Sequence, residues 1–450
     1  MSVGIVGPII IILFLILLFA GIRISVSLAI VSLLGIGLTA NFNVAVNMLG
    51  TTAFNAIKDY VFAVVPLFVL MGLFSNIAGA GEDLYNAAYV ILRKIRGGMA
   101  MATVVANAIF AALTGSTIAS AAVFSKISLP EMTRLGYNKS VASGTIAGTS
   151  ILGMLIPPSA LMIIYGTITG ESIGKLFIAG ILPGILLSLL YILQIAVLAH
   201  FKPKMYGVGY VPDQKNESYK EIDLTWKTVF KPWPVLLLII LVIGGIWGGF
   251  FTPTEAGGIG AFGALLMMIF KGKFTWKGLW EALGSAGKTT GSILLLFITA
   301  QMFSRMLAIT GIISNVTTWI TSLGISPLLV IAAFCLLQLA MGCVLDSTSI
   351  LLLTIPLMYP VILELGYNPI WYGIVAIVAS EMGLITPPFG ISVFTVKSAL
   401  TESRVSSQIK IGDIFRGSYP YLAMMLVCLV LIILFPVIVT ILPSLMLHTM

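Results

Sequence analysis

The chain has 450 residues, of which 59% are hydrophobic and only 9% charged, and its mean hydropathy is +1.11. A soluble domain carries roughly 25% charged residues, so these figures exclude a soluble globular protein, a disordered chain and a nucleic-acid binder. The formal net charge of +8 carries information through its placement along the chain, not its size.

Residues 1–22 are apolar and lack a basic leading segment, so 8–22 reads as a first span that is retained, not a cleaved signal peptide. Further apolar stretches follow at 25–40, 61–79, 143–168, 176–199, 234–251, 256–271, 289–309, 369–397 and 418–443, which gives ten candidate spans of the length a bilayer requires. Amphipathic or mixed stretches at 43–58, 82–97, 273–287 and 313–323 read as arms along the membrane surface. Two more apolar stretches, 101–128 and 325–358, are interrupted by Thr114-Gly115-Ser116-Thr117 and by Asp346-Ser347-Thr348-Ser349. Irregular backbone at membrane depth is tolerated only inside protein or beside a wet cavity, so each reads as a re-entrant helical hairpin.

Charge placement supports both hairpins. With the N-terminus outside, the cytoplasmic segments hold Arg23, Arg93, Lys94, Arg96, Lys126, Arg134, Lys139, the six lysines of 200–233, Lys271, Lys273, Lys277, Lys288, Lys397, Arg404, Lys410 and Arg416. Of the 24 basic residues only Lys58, Lys175 and Arg305 fall elsewhere, the bias that the positive-inside rule demands. Reading either stretch as a single crossing inverts everything after it and destroys that bias.

The two halves match at a near-constant offset. Pro130 and Leu135-Gly136-Tyr137-Asn138 match Pro360 and Leu365-Gly366-Tyr367-Asn368, and Gly153, Pro157 and Pro158 match Gly383, Pro387 and Pro388, all 230 positions apart. Residues 1–199 and 234–450 thus read as two repeats, each with five spans and one hairpin, joined by a polar cytoplasmic linker at 200–233. An odd number of crossings sets the halves in opposite orientations. The expected fold is an all-α polytopic membrane protein with an inverted repeat, the architecture of many secondary transporters, with sites near the midplane.

Each Gly-x-x-x-Pro-Pro element removes helix donors. Pro157 cannot bond the Gly153 carbonyl, nor Pro158 that of Met154, Pro387 that of Gly383 or Pro388 that of Leu384. Carbonyls freed in this way are how broken helices hold sodium. The hairpin tips add hydroxyls from Thr114, Ser116 and Thr117 and from Ser347, Thr348 and Ser349, beside helix N-termini that attract anions. Such clusters also serve as glue between helices; their repetition favours a site. Asp346, the one aspartate in an apolar run, is a functional candidate by its cost there. Glu381 sits two residues before Gly383, Arg305 lies toward the outer end of the eighth span, and Glu255, in Thr252-Pro253-Thr254-Glu255, reads as a helix cap.

Other chemistries fare poorly. Cys335, Cys343 and Cys428 are an odd, scattered set, so neither a disulfide framework nor a zinc site is expected, and His200 and His448 lie outside the apolar runs, so no histidine base is within reach of Ser116. An aspartyl protease needs a second intramembrane aspartate. Gly287-Lys288-Thr289 imitates the end of a phosphate-binding loop, but Ala282 stands where its first glycine belongs, so no ATP site is expected.

The runs Thr114-Gly115-Ser116, Gly153-Met154-Leu155-Ile156-Pro157-Pro158-Ser159, Phe251-Thr252-Pro253-Thr254-Glu255-Ala256, Leu345-Asp346-Ser347-Thr348 and Glu381-Met382-Gly383-Leu384-Ile385-Thr386-Pro387-Pro388 resemble the large membrane subunit of tripartite ATP-independent periplasmic (TRAP) transporters, over almost the whole chain. The resemblance implies a multi-pass protein of the bacterial inner membrane that drives uptake of a small organic anion with Na+, by an elevator motion between scaffold and transport regions. It implies two partners, a small four-span membrane subunit and a periplasmic substrate-binding protein. Carried over by residue, one sodium site takes Thr114, Ser116, Gly153, Ile156 and Pro158, and the other Gly383, Thr386 and Pro388 with Asp346 nearby. Substrate is expected between the tips, near Ser116, Thr117, Ser347 and Thr348, with Glu381 and Arg305 as accessory charges. Thr114 and Thr117 depart from the small Ser or Ala residues common at those tip positions. A stand-alone sodium–anion symporter, an ion channel and a polytopic enzyme are the competing readings.

Overall fold

Apolar runs continue as helix until a capping side chain, a left-handed glycine or a Pro-Pro pair stops them, and those stops set the architecture. The computed structural model describes residues 3–210, 225–400 and 409–446; Arg404, His448 and residues 211–224 of the predicted linker lie outside them. Among the described residues the protein is all helical, apart from an isolated antiparallel bridge between Tyr137 and Tyr206. Eight helices have at least 18 residues and enough apolar character to cross a bilayer: Tyr60–Ile77, Lys139–Thr169, Ile173–Phe201, Trp226–Trp247, Pro253–Phe270, Trp276–Ile309, Ser347–Glu364 and Ile411–Leu434. Three of the ten predicted spans fall on shorter helices, Val3–Phe19, Ile24–Thr39 and Pro369–Gly383. Ser347–Glu364, expected as a hairpin arm, is long enough to join the first group.

The helices sort into an interior and a periphery. In Lys139–Thr169, 72% of the most apolar window is buried, against 33% in Trp226–Trp247. The straight peripheral helices turn apolar side chains such as Leu237, Ile240 and Leu295 outward, the surface that lipid covers. In the interior, aromatic residues are anchored by their polar ends, Tyr165 across the two halves and Trp371 within the second. Tyr165 Oη donates to the Pro369 carbonyl (2.6 Å) and Trp371 Nε1 to the Ile432 carbonyl (2.7 Å), so these buried rings leave no polar group unpaired there.

The predicted arms are met by the helices Phe42–Lys58, Ala80–Leu92 and Ile312–Ser322. The fourth is not separate: 273–287 and the span 289–309 form one 34-residue helix, Trp276–Ile309. Gly284, Gly287 and Gly291 cost such a helix only about 1 kcal/mol each, and no proline interrupts it. Glu255 caps as expected. Thr252 N–H donates to its carboxylate (2.8 Å), and Glu255 N–H donates back to the Thr252 hydroxyl (3.3 Å).

Candidate functional site

The first hairpin is built from Gly98–Thr114 and Thr117–Arg134, the second from Pro327–Gly342 and Ser347–Glu364. Each tip restarts its second arm with the same device, an extended residue that caps the amide three positions on. Ser116 accepts from Ala119 N–H (3.3 Å). Asp346 accepts from Ser349 N–H (3.1 Å) and from the Ser349 hydroxyl. Ser116 and Asp346 are themselves 230 positions apart, and both are preferred cap residues ahead of a helical run.

The broken helices are equally local in origin. Lys139–Thr149 is followed by the single turn Leu152–Leu155, an extended Ile156 and the helix Ala160–Thr169. In the second half Pro369–Gly383 ends and Ile391–Ala399 begins after Gly390, which has a φ of +52°. Three of the four carbonyls expected to be free are occupied. The Ser159 hydroxyl donates to Met154 O (2.5 Å), Thr386 N–H to Gly383 O (3.0 Å) and Ser392 N–H to Leu384 O (3.1 Å). Proline removed the regular donor in each case; the residue just before Pro387 supplies another for Gly383, and the chain beyond the proline pair supplies one for Met154 and for Leu384. Among the described hydrogen bonds only the Gly153 carbonyl keeps no donor.

Tip and break meet in the first half at backbone distance. A methyl group placed on Gly153 would lie 2.7 Å from the Ser116 carbonyl oxygen, and one on Gly115 would lie 2.5 Å from that of Pro158. Two main-chain carbonyls and the Ser116 cap are thereby brought to one place, which requires glycine on both sides. Thr114 points elsewhere, its hydroxyl donating to Phe110 O (3.2 Å). In the second half the close contact involves the first arm, not the tip: a methyl on Gly342 would lie 2.8 Å from Gly383 Cα. The Thr386 hydroxyl donates to Met382 O (2.8 Å), and Pro388 is exposed where Pro158 is buried.

The two halves meet at Glu381. This side chain is 1% exposed; its Oε2 accepts the Thr117 hydroxyl of the first tip (2.6 Å). Ser347 of the second tip neighbours it, yet Ser347 Oγ and Glu381 Oε1 are both buried without a hydrogen-bond partner. Thr117, Ser347 and Glu381 thus converge, although nothing in the sequence places Glu381 against the first tip. Thr348 is half-buried. Arg305 stands apart. It lines a cavity of about 170 Å³ with Ile168, Gln301, Ser304, Leu352 and Pro356, and that cavity contains no tip residue.

Two clamps went unseen in the sequence. In the first hairpin Ser120 Oγ donates to Asn107 Oδ1, and Asn107 Nδ2 to Thr149 Oγ1 (2.8 Å), which ties both arms to the broken helix. In the second, Gln338 Nε2 donates to Thr354 Oγ1 (3.2 Å), and Gln338 Oε1 has no partner. A lone buried amide in an apolar run is the signal that would have found them.

The profile of a family described as "Tripartite ATP-independent periplasmic transporter, DctM component" matches residues 11–438. The chain belongs to this family. The C4-dicarboxylate TRAP transporter large permease protein DctM of Pseudomonas aeruginosa is 32% identical over 401 residues, which cover 89% of this chain and 90% of that protein. The sialic acid TRAP transporter large permease protein SiaM of Vibrio cholerae is 30% identical, covering 96% and 97%. The 2,3-diketo-L-gulonate TRAP transporter large permease protein YiaN of Escherichia coli is 31% identical, covering 87% and 88%. Like these DctM-family permeases, the chain is a multi-pass inner-membrane transporter component and not an enzyme. Among solved structures, the Alcanivorax borkumensis YdaH transporter superposes with a TM-score of 0.58 at 15% identity, over 89% of this chain and 88% of that one, a likeness of fold.

Proposed function

We propose that this DctM-family chain is the sodium-coupled permease of a three-part uptake system. A periplasmic binding protein delivers a small organic anion, a small four-span subunit completes the membrane unit, and an elevator motion carries the site across. The observation that carries the reading is the Thr117–Glu381 contact at 2.6 Å, which joins the first hairpin tip to the broken helix of the opposite half, as a midplane site between inverted repeats requires. The named cargoes of the relatives, C4-dicarboxylate, sialic acid and 2,3-diketo-L-gulonate, are all acids and support an anion as the substrate class.

The first sodium ion is held where the Ser116 and Pro158 carbonyls approach Gly153 and Gly115, with Ile156 and Thr114 at its edge. These neutral oxygens are the donor type that a hard monovalent cation takes. The second is held near Gly383, Thr386 and Pro388, with Asp346 supplying charge. The anion lies between the tips, against Ser116, Thr117, Ser347 and Thr348, where two capped helix N-termini point and where sodium offsets its charge. Arg305 serves as an outlying attraction for it. Residues 1–199 and 234–450 form the two inverted repeats.

The test is uptake into proteoliposomes holding this chain and its small subunit, supplied with the ligand-loaded binding protein. Uptake that needs both an inward sodium gradient and the binding protein is the expected result. Uptake with sodium alone would make the chain a stand-alone symporter, and flux independent of the gradient would make it a channel.

A further inference from the structure

The tetrapeptide Leu-Gly-Tyr-Asn ends the second arm of each hairpin, and its two copies fold alike. Gly136 (φ +76°) and Gly366 (φ +75°) take the left-handed conformation that stops a helix. Gly136 and Tyr137 N–H groups donate to Thr133 O and Met132 O (3.1 and 3.0 Å), and those of Gly366 and Tyr367 donate to Leu363 O and Ile362 O (3.0 and 3.1 Å). Asn138 and Asn368 each cap the helix that follows, accepting from Ser140 N–H and Ile370 N–H at 2.9 Å.

They differ in what lies on top. Over the first copy runs the described start of the linker, 203–210. Asn138 N–H donates to Met205 O (2.9 Å), and Tyr137 pairs with Tyr206 in the antiparallel bridge, their rings edge to face at 5.9 Å. The fit is close: a methyl on Gly207 would lie 2.1 Å from Leu135 O, and one on Gly136 would lie 2.3 Å from Tyr210. Over the second copy no backbone segment lies among the described residues, and the Tyr367 ring stacks on Trp371 of the helix that follows, with centroids 5.2 Å apart. A methyl on Gly366 would meet no atom within 4 Å, Asn368 N–H donates to no main-chain carbonyl, and Glu364, Gly366 and Asn368 are exposed. Beside it opens a groove of about 510 Å³ lined by Ser314, three threonines of the same helix, Pro360 and Glu364, with the aliphatic Ala308 and Ile313.

We propose that the uncovered turn 365–368 docks the periplasmic binding protein, through an extended segment that presents a backbone carbonyl to Asn368 N–H and an aromatic ring to the Tyr367–Trp371 stack. The first copy performs this same recognition within the chain, with Met205 and Tyr206 as the segment. The proposal rests on the transport reading above, in which the inverted repeat sets the covered turn on the cytoplasmic side and the uncovered turn on the outer side. Ser and Thr residues and the Glu364 carboxylate line most of the adjoining groove, with Ala308 and Ile313 beside them, a mostly polar surface that a water-soluble partner can meet.

The experiment uses the full chain with its small subunit in proteoliposomes, an inward sodium gradient and increasing concentrations of the ligand-loaded cognate binding protein. Gly366→Asn adds bulk where the chain leaves room, with a residue that tolerates the left-handed conformation. Glu364→Cys, capped with a maleimide polyethylene glycol, blocks the same surface and leaves the turn's backbone intact, so it decides the matter should Gly366→Asn fail to fold. Both changes are expected to raise the half-saturating concentration of binding protein about tenfold, the loss of roughly one charge-free contact set, with the maximal rate kept. An unchanged half-saturation in both overturns the docking site, provided wild-type uptake depends on the binding protein. Loss of the small subunit from the purified complex in both variants would assign the turn to that subunit and also overturn it. Wild-type uptake that ignores the binding protein would refute the underlying transport reading before any variant is compared.

Discussion

The two hairpin-and-break units share a sequence pattern and differ in how tightly they close. In the first, Pro157 and Pro158 are buried, the tip presses on Gly153, and a three-residue clamp of Asn107, Ser120 and Thr149 joins both arms to the broken helix. In the second, Pro387, Pro388 and Phe389 are exposed, and Val344, Phe389, Ile391 and Phe394 border an open groove of about 490 Å³. Its clamp is one 3.2 Å bond that leaves half of the Gln338 amide unpaired. The caps differ in the same sense. Neutral Ser116 caps the tip that presses on Gly153, and the carboxylate Asp346 caps the tip of the half in which the close contact with the break comes from the first arm.

That contrast is open to attack, beginning with the caps. Ser116→Ala and Asp346→Ala are each expected to reduce proteoliposome uptake to that of empty vesicles, with the protein still folded by size-exclusion chromatography. Wild-type rates in both would sink the site assignment. Asp346→Asn sharpens the point, because asparagine caps as well as aspartate: uptake lost with the melting temperature kept isolates the charge. Next is Glu381→Gln, which preserves an acceptor for Thr117. The sodium concentration for half-maximal uptake is expected to rise about tenfold, equivalent to about 1.4 kcal/mol of lost charge compensation; an unchanged value reduces Glu381 to a structural bridge between tips.

The smallest effects separate the clamps. Asn107→Leu strands Ser120 and Thr149 and is expected to destabilise the purified protein by about 2 kcal/mol. Gln338→Leu removes an amide already half unpaired and is expected to change stability by less than about 0.5 kcal/mol. Equal melting shifts for the two would erase the distinction between a closed and an open hairpin.

Legibility followed the range of the interaction. Ten apolar stretches, two interrupted ones and the 230-residue offset were readable because bilayer thickness and proline's missing donor act on consecutive residues. The Thr252–Glu255 cap was readable for the same reason. The merging of 273–287 into Trp276–Ile309 was not, since neither prolines nor caps marked a boundary and the mixed polarity imitated one.

What the sequence determined alone is therefore the membrane class, the position of each break and the residue types brought to it, because these depend on covalent geometry and local hydropathy. Only the tertiary structure decided that Ser159, Thr386 and Ser392 fill carbonyls that proline had emptied, that Glu381 reaches Thr117 across 264 positions, and that one Leu-Gly-Tyr-Asn turn is covered while its twin is bare. Each of these depends on which donor or acceptor the packed chain brings within about 3 Å, and no local pattern encodes that distance.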